Sequence, residues 1–129
     1  MVDLPNQGLF SRVFRVSLNL PWSLTLIFFG MLSKPSDIKI SKYLPAVIIL
    51  ESSFWWYIWI PGKWNVRAMA LGNVVLIGLN AIKTDQSHEL IHIKEHMFEP
   101  FVHPFLNLYQ NIKYGYKNNK YELLAYKNQ

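Results

Sequence analysis

Hydrophobic and polar positions change period several times along the chain. Val16 to Ser33 carries no charge, and within it Leu24, Ile27, Phe28, Met31 and Leu32 recur at helical spacing. Pro21 suits a first helical turn, so a helix is expected to run from there to about Leu32, ended by the stretch around Pro35. Residues 1–15 read as a loosely held lead-in, with Phe10, Val13 and Phe14 beside Arg12 and Arg15 offering one amphipathic turn. Asp37 to Tyr43 alternates and predicts a short edge strand. Val47 to Leu50 is compact and β-branched, the pattern of a buried strand. Phe54 to Ile60 holds three tryptophans and one tyrosine and suggests a short helix closed by Pro61-Gly62. Trp64 to Leu79 reads as two strands, Asn65 to Ala70 and Val74 to Ile77, joined by a turn or bulge at Gly72-Asn73.

Helical patterns dominate the rest. A helix capped by Asp85 or Ser87 carries Glu95 and Glu99 on its acidic side, and Pro100 halts it or opens the next. Pro104 to Tyr114 places Phe105, Leu108, Tyr109 and Ile112 at helical spacing, with Gly115 as its stop. A polar loop at Lys117 to Lys120 leads to a last helix, Tyr121 to Lys127, capped by Asn118 or Asn119. The expected class is α+β: a short mixed or antiparallel sheet packed on the helix that starts near Ser87 and on the one holding Glu122.

One stretch carries recognisable chemistry. His88-Glu89-Leu90-Ile91-His92 is an H-E-x-x-H run. On a helix, residues four apart share a face, so both imidazoles reach one metal ion. Glu89 lies close enough to act as a base towards a water there, and zinc lowers the pKa of such a water. Two ordinary surface histidines are the plain alternative, because so short a motif recurs by chance.

Composition narrows the options. The chain has 129 residues and is expected to form one domain. It has no cysteine, which excludes disulfides, thiolate metal sites and cysteine nucleophiles. Any metal must therefore be held by His, Asp or Glu. The four histidines, His88, His92, His96 and His103, fall in one stretch. The net charge is +5, but the cations are scattered, which argues against a dedicated nucleic-acid groove. Lys113, Lys117, Lys120 and Lys127 are expected to form a solvated face. No basic run with a small-residue cleavage site opens the chain, so no cleaved signal peptide is expected and the protein is placed in the cytoplasm. Val16 to Ser33 is at the lower length limit for a membrane span and is expected to be a buried or interfacial helix instead. Peripheral membrane contact through Val16 to Ser33 and the Phe54 to Ile60 aromatic cluster stays open; hydrophobic core is the plainer reading of that cluster.

Residues 65–127 resemble a zincin metallopeptidase of the glutamate-ligand branch, the gluzincins, in its small single-domain form. A strand over Asn73 to Leu79 precedes the motif, as the cleft-edge strand does in that family. The motif itself follows. Asn119-Lys120-Tyr121-Glu122-Leu123-Leu124-Ala125 is similar to the N-x-x-E-x-x-A signature of the helix that delivers the third ligand. The resemblance implies His88, His92 and Glu122 as zinc ligands, Glu89 as general base, and a peptide or protein substrate. Residues 1–64 have no specific match. The segment between motif and signature is short, leaving no sizeable subdomain for half of a cleft, and no His or Tyr stands at an evident oxyanion-stabilising position. Tyr126, one turn beyond Glu122, is expected to pack at the surface or in the core.

His96 is expected to face solvent. Geometry speaks against it as a ligand, since it lies about 12 Å along the helix axis from His88. Glu95 is expected to turn away from the His88–His92 face; Glu99 and His103 fall at or beyond the helix end and stay open as ligands. Two functions from different classes follow: a zinc-dependent metallopeptidase, or a catalytically silent membrane-associated or scaffold protein that keeps a zincin-like core. The presence of Glu89 favours the enzyme.

Overall fold

Val74-Val75-Leu76-Ile77 is apolar at every position, and such a run is stable as a strand only if both of its faces are covered. A computed structural model describes residues 8–32, 34–41, 44–50, 68–78 and 81–128. In it, helices cover both faces. Among the described residues the order is α1 (Leu9–Leu18), α2 (Leu20–Leu32), β1 (Asp37–Ile40), β2 (Val47–Leu50), β3 (Ala68–Leu71), β4 (Val74–Ile77), α3 (Lys83–Phe98), α4 (His103–Tyr114), and α5 (Lys120–Asn128) after a single 3-10 turn. The protein is α+β. The sheet order is β1-β2-β4-β3, with β2 and β4 parallel and both edge strands antiparallel to their neighbours.

The strand period of two sorts the side chains into two cores. Ile49, Val74 and Leu76 point to one face and meet Leu26 of α2. Ile48 and Val75 point to the other and meet Ile93 of α3, with Leu44 and Ala46. Each core mixes residues from before and after position 64. β4 is thus an inner strand, β3 is the edge beside it among the described residues, and α3 lies across both. The expected place of the strand before the motif, at a cleft edge, is corrected: that strand is central, as its unbroken apolar run requires.

Two glycines set the spacing. A Cβ on Gly30 would come within 2.8 Å of Leu76 and 2.9 Å of Ile49, so its absence lets α2 lie close on the sheet. Gly72, at φ +61°, makes the tight β3–β4 turn, and a Cβ there would meet Ser23 Oγ at 2.5 Å. The apolar face read on α2 is mostly the outward one. Leu24, Phe28, Met31 and Leu32 are exposed, whereas Ser23, Leu26 and Gly30 are buried. A helix apolar all round cannot declare its inner face by periodicity alone.

The lead-in expected over residues 1–15 is helical from Leu9. Arg15 explains why it is held: its guanidinium donates to the carbonyls of Met97 (2.9 Å) and Phe98 (3.4 Å), at the negative end of α3. Asn19, at the α1–α2 junction, is fully buried. It donates to Asn73 Oδ1 and to the His96 carbonyl, both at 3.1 Å, and accepts from the Phe101 N–H at 2.9 Å. One amide side chain thus ties α2, the β3–β4 turn and the end of α3 together.

Among the described residues no single helix is long and apolar enough to cross a membrane. α1 and α2 reach that length and composition only as a pair, bent by 62°. The expected helix over Phe54 to Ile60 and the start of the strand at Asn65 lie outside the described residues.

Candidate metal centre

The motif helix begins with a cap at its third residue: the Asp85 carboxylate accepts the Ile82 N–H at 2.7 Å. The helix starts at Lys83, ahead of both residues expected at its N-cap; Ile82 is the N-cap, and Asp85 caps it from inside the first turn. From there the helical repeat brings His88 and His92 to the side of α3 that faces α5, both 7 % exposed. α5 is positioned by Asn119, whose side chain works in two directions. Its Oδ1 accepts the Tyr121 N–H at 2.8 Å, which caps α5. Its Nδ2 donates to Asn107 Oδ1 (2.7 Å) and Asn111 Oδ1 (2.8 Å), which bolts that cap to α4. Ala125 is fully buried where α5 packs on α3.

Glu122 therefore arrives opposite the two imidazoles. Its Oε2 lies 3.1 Å from His88 Nε2 and its Oε1 lies 3.1 Å from His92 Nε2, while the two Nε2 atoms are 3.3 Å apart. Three donor groups thus converge from two helices. A tetrahedral metal with bonds of about 2.0 Å separates its ligand atoms by about 3.3 Å, so the spacing and the donor set, two nitrogens and a carboxylate, fit zinc.

Proton counting sharpens the point. His92 Nδ1 is 2.8 Å from Glu95 Oε2, and its proton belongs in that contact. Nε2 of His92 then faces Nε2 of His88 and an oxygen of Glu122. A proton on a ring nitrogen or a metal ion satisfies such a cluster of acceptors. The titration behaviour says the same. Burial opposes a charge on either histidine, but hydrogen bonds to Glu122, and to Glu95 for His92, outweigh it: His88 is raised and His92 is pushed up to about 10. For Glu122, burial acts upward, yet His88 and His92 hold it down at about 2. Glu89, half-buried on the same helix, is pushed up to about 7 by burial against the pull of His92 and His88.

Several neighbours depart from expectation. His96 is 3 % exposed and not solvent-facing. Its Nδ1 donates to the His92 carbonyl at 2.8 Å, and burial, followed by His103, pulls its pKa down to about 3. It stays a neutral ring in the packing. Glu95, expected to turn away, does point off the metal face, but only far enough to meet the other nitrogen of His92. His103 is the first residue of α4 and is 1 % exposed, with Glu95 Oε2 at 3.4 Å and Glu99 Oε1 at 3.2 Å. Tyr126 packs over His88: the two ring centroids are 4.5 Å apart. Its hydroxyl is 3.1 Å from that of Tyr116, which donates to Glu122 Oε2 at 3.1 Å. Nothing singled out Tyr116 in the sequence; it lies beyond a glycine in what reads as loop.

Comparison of the chain with protein-family models, curated proteins and solved structures finds no match.

Proposed function

We propose that the protein is a zinc-dependent hydrolase acting on peptide bonds, of the gluzincin kind, with His88, His92 and Glu122 holding the metal. One observation carries the reading: three donors from two helices converge at tetrahedral spacing, beside a carboxylate that titrates near neutrality. When bound, zinc supplies Lewis acidity, which makes water more acidic and steadies negative charge on a carbonyl oxygen. The chain supplies the rest. Glu89 takes a proton from the attacking water and passes it to the leaving nitrogen; burial raises its carboxyl in the metal-free protein. Tyr116 holds Glu122 by a hydrogen bond, and Tyr126 covers His88. A silent metal site would have no use for a base on the residue next to a ligand.

The experiment is elemental analysis of purified protein after mild dialysis, with a peptide-library cleavage assay on parent and Glu89→Gln. About one zinc per chain, and cleavage lost in the variant while zinc is kept, is the expected result. A chain that stays metal-free when refolded with zinc overturns the reading.

Peripheral contact with a lipid surface is a second proposal, supported by the outer face of α1 and α2. Leu9, Phe10, Phe14, Leu24 and Phe28 are exposed there, and no acidic residue occurs between Leu4 and Ser36. Sedimentation with anionic vesicles tests it; equal recovery with and without vesicles refutes it.

A further inference from the structure

The helices that bear the metal ligands are joined a second time, behind the metal centre, through the start of α4. We propose that this second connection makes Glu95 and His103 positioning residues that fix which nitrogen of His92 faces the metal. The inference rests on the metal-centre reading above.

The path is continuous. His92 Nδ1 meets Glu95 Oε2 at 2.8 Å, and the same oxygen is 3.4 Å from His103 Nε2. His103 Nδ1 meets Glu99 Oε1 at 3.2 Å. The Tyr121 hydroxyl donates to Glu99 Oε2 at 3.0 Å. Tyr121 immediately precedes Glu122, so the path leaves one ligand and returns beside another. It is also shielded: Glu95, His103 and Tyr121 are 4 %, 1 % and 6 % exposed, and the Tyr121 ring packs against His103 with centroids 4.5 Å apart.

A neutral imidazole can carry its proton on either nitrogen and can flip its ring. A buried carboxylate at Nδ1 removes both freedoms, because it keeps the proton there and leaves the Nε2 lone pair bare towards His88 and Glu122. Glu95 needs its own support. Its Oε1 is buried with no hydrogen-bond partner among the described residues, a costly state for a carboxylate placed only for stability. The contacts made by Oε2 aim it, and His103 Nε2 lies 3.4 Å from that same oxygen. His92, Glu95 and His103 also lie close enough together to suggest a second metal site. The hydrogen-bond geometry at His92 Nδ1 favours a proton there instead.

The test uses the full chain. Zinc affinity is measured by chelator competition, and the protons on the His92 ring are followed by 15N–1H spectra of zinc-loaded protein, in the parent, Glu95→Ala, Glu95→Gln and His103→Gln. The parent is expected to show a slowly exchanging Nδ1–H on His92 and one zinc per chain. Glu95→Ala should lose that signal and about ten- to a hundredfold in affinity. Glu95→Gln, which keeps an acceptor oxygen, should recover most of both, and His103→Gln should fall between. Folded Ala and Gln variants that bind like the parent, or that weaken equally with the Nδ1–H unchanged, overturn the proposal. So do two zinc ions per chain. If Glu95→Ala does not fold, His103→Gln decides: a His92 signal and affinity identical to the parent overturn it. A parent that binds no zinc overturns the metal centre itself, and this proposal with it.

Discussion

Replacing Glu122 by alanine removes both oxygens that face the imidazoles, each at 3.1 Å, and leaves two nitrogens 3.3 Å apart on a single helix. Structural zinc sites bind with about 10–16 kcal/mol over four ligands, so one ligand is worth roughly 3 to 4 kcal/mol, a few hundred-fold in affinity. That difference is readable as heat stability. At a free zinc concentration of about 100 times the parent's Kd, binding stabilises the parent by about 2.7 kcal/mol, which for a domain of this size raises Tm by roughly 10 °C. At the same concentration Glu122→Ala sits below its own Kd and should gain less than about 1 °C. Differential scanning fluorimetry with and without buffered zinc measures both. Glu99→Ala is the comparison, since Glu99 touches no proposed ligand and acts only through His103 and Tyr121, so its loss should be far smaller. The expected order of zinc affinity is parent, then Glu99→Ala close behind, then Glu122→Ala far below. A zinc-induced shift in Glu122→Ala equal to that of the parent, or a larger loss in Glu99→Ala, refutes the assignment of the third ligand.

Other outcomes follow from the same geometry. Glu89→Gln should bind zinc as the parent does while any peptide cleavage drops by about a hundredfold or more; equal turnover removes Glu89 from the chemistry. Metal-free protein should lose stability at both pH extremes. His92 is raised from 6.5 to about 10, so its contribution is complete below pH 6.5 and fades as pH climbs towards 10; Glu122 is lowered from 4.5 to about 2, so its contribution is complete above pH 4.5 and fades towards pH 2. Tm of metal-free protein against pH checks this, and a Tm that rises from pH 7 to 10 contradicts it. Asn19→Ala deletes three hydrogen bonds, two of them buried, and should cost about 3 kcal/mol in urea unfolding, whereas a cost below about 1 kcal/mol would show that the junction does not depend on it. Recovery of the protein without detergent after carbonate extraction is expected, and retention in the membrane would mean that the bent α1–α2 pair inserts.

Much of the fold was legible because its strongest signals are local. Pro21 in the first turn of α2, the two-residue turn at Gly72-Asn73, the stop at Gly115 and the cap at Asn119 each act within a few residues, and all stand where the sequence places them. α1 was not legible as an ordered element because what holds it is remote. Its anchor, Arg15, spends its donors on carbonyls more than eighty residues away, and no window of sequence contains that contact. Asn19 depends on equally remote contacts. Its three partners, from the β3–β4 turn, α3 and the loop after it, make it a buried junction that no local window reveals.

The site divides along the same line. His88 and His92 come together by helical period, and Glu122 by a signature whose asparagine and alanine have visible structural tasks, so these three were within reach of the sequence. The four histidines fall in one stretch, and the partners of their ring nitrogens separate them into three roles. His88 and His92 each turn Nε2 towards Glu122, at 3.1 Å. His96 gives its Nδ1 proton to a carbonyl and is held neutral by burial. His103 stands with a carboxylate at each ring nitrogen and supports the group behind His92. Spacing alone cannot make this division, because a histidine's role depends on which partner each nitrogen finds. His96 finds its carbonyl one turn back on its own helix, whereas the partners of His103 are set by how α4 crosses the end of α3, where Pro100 and the left-handed Phe101 (φ 68°) turn the chain.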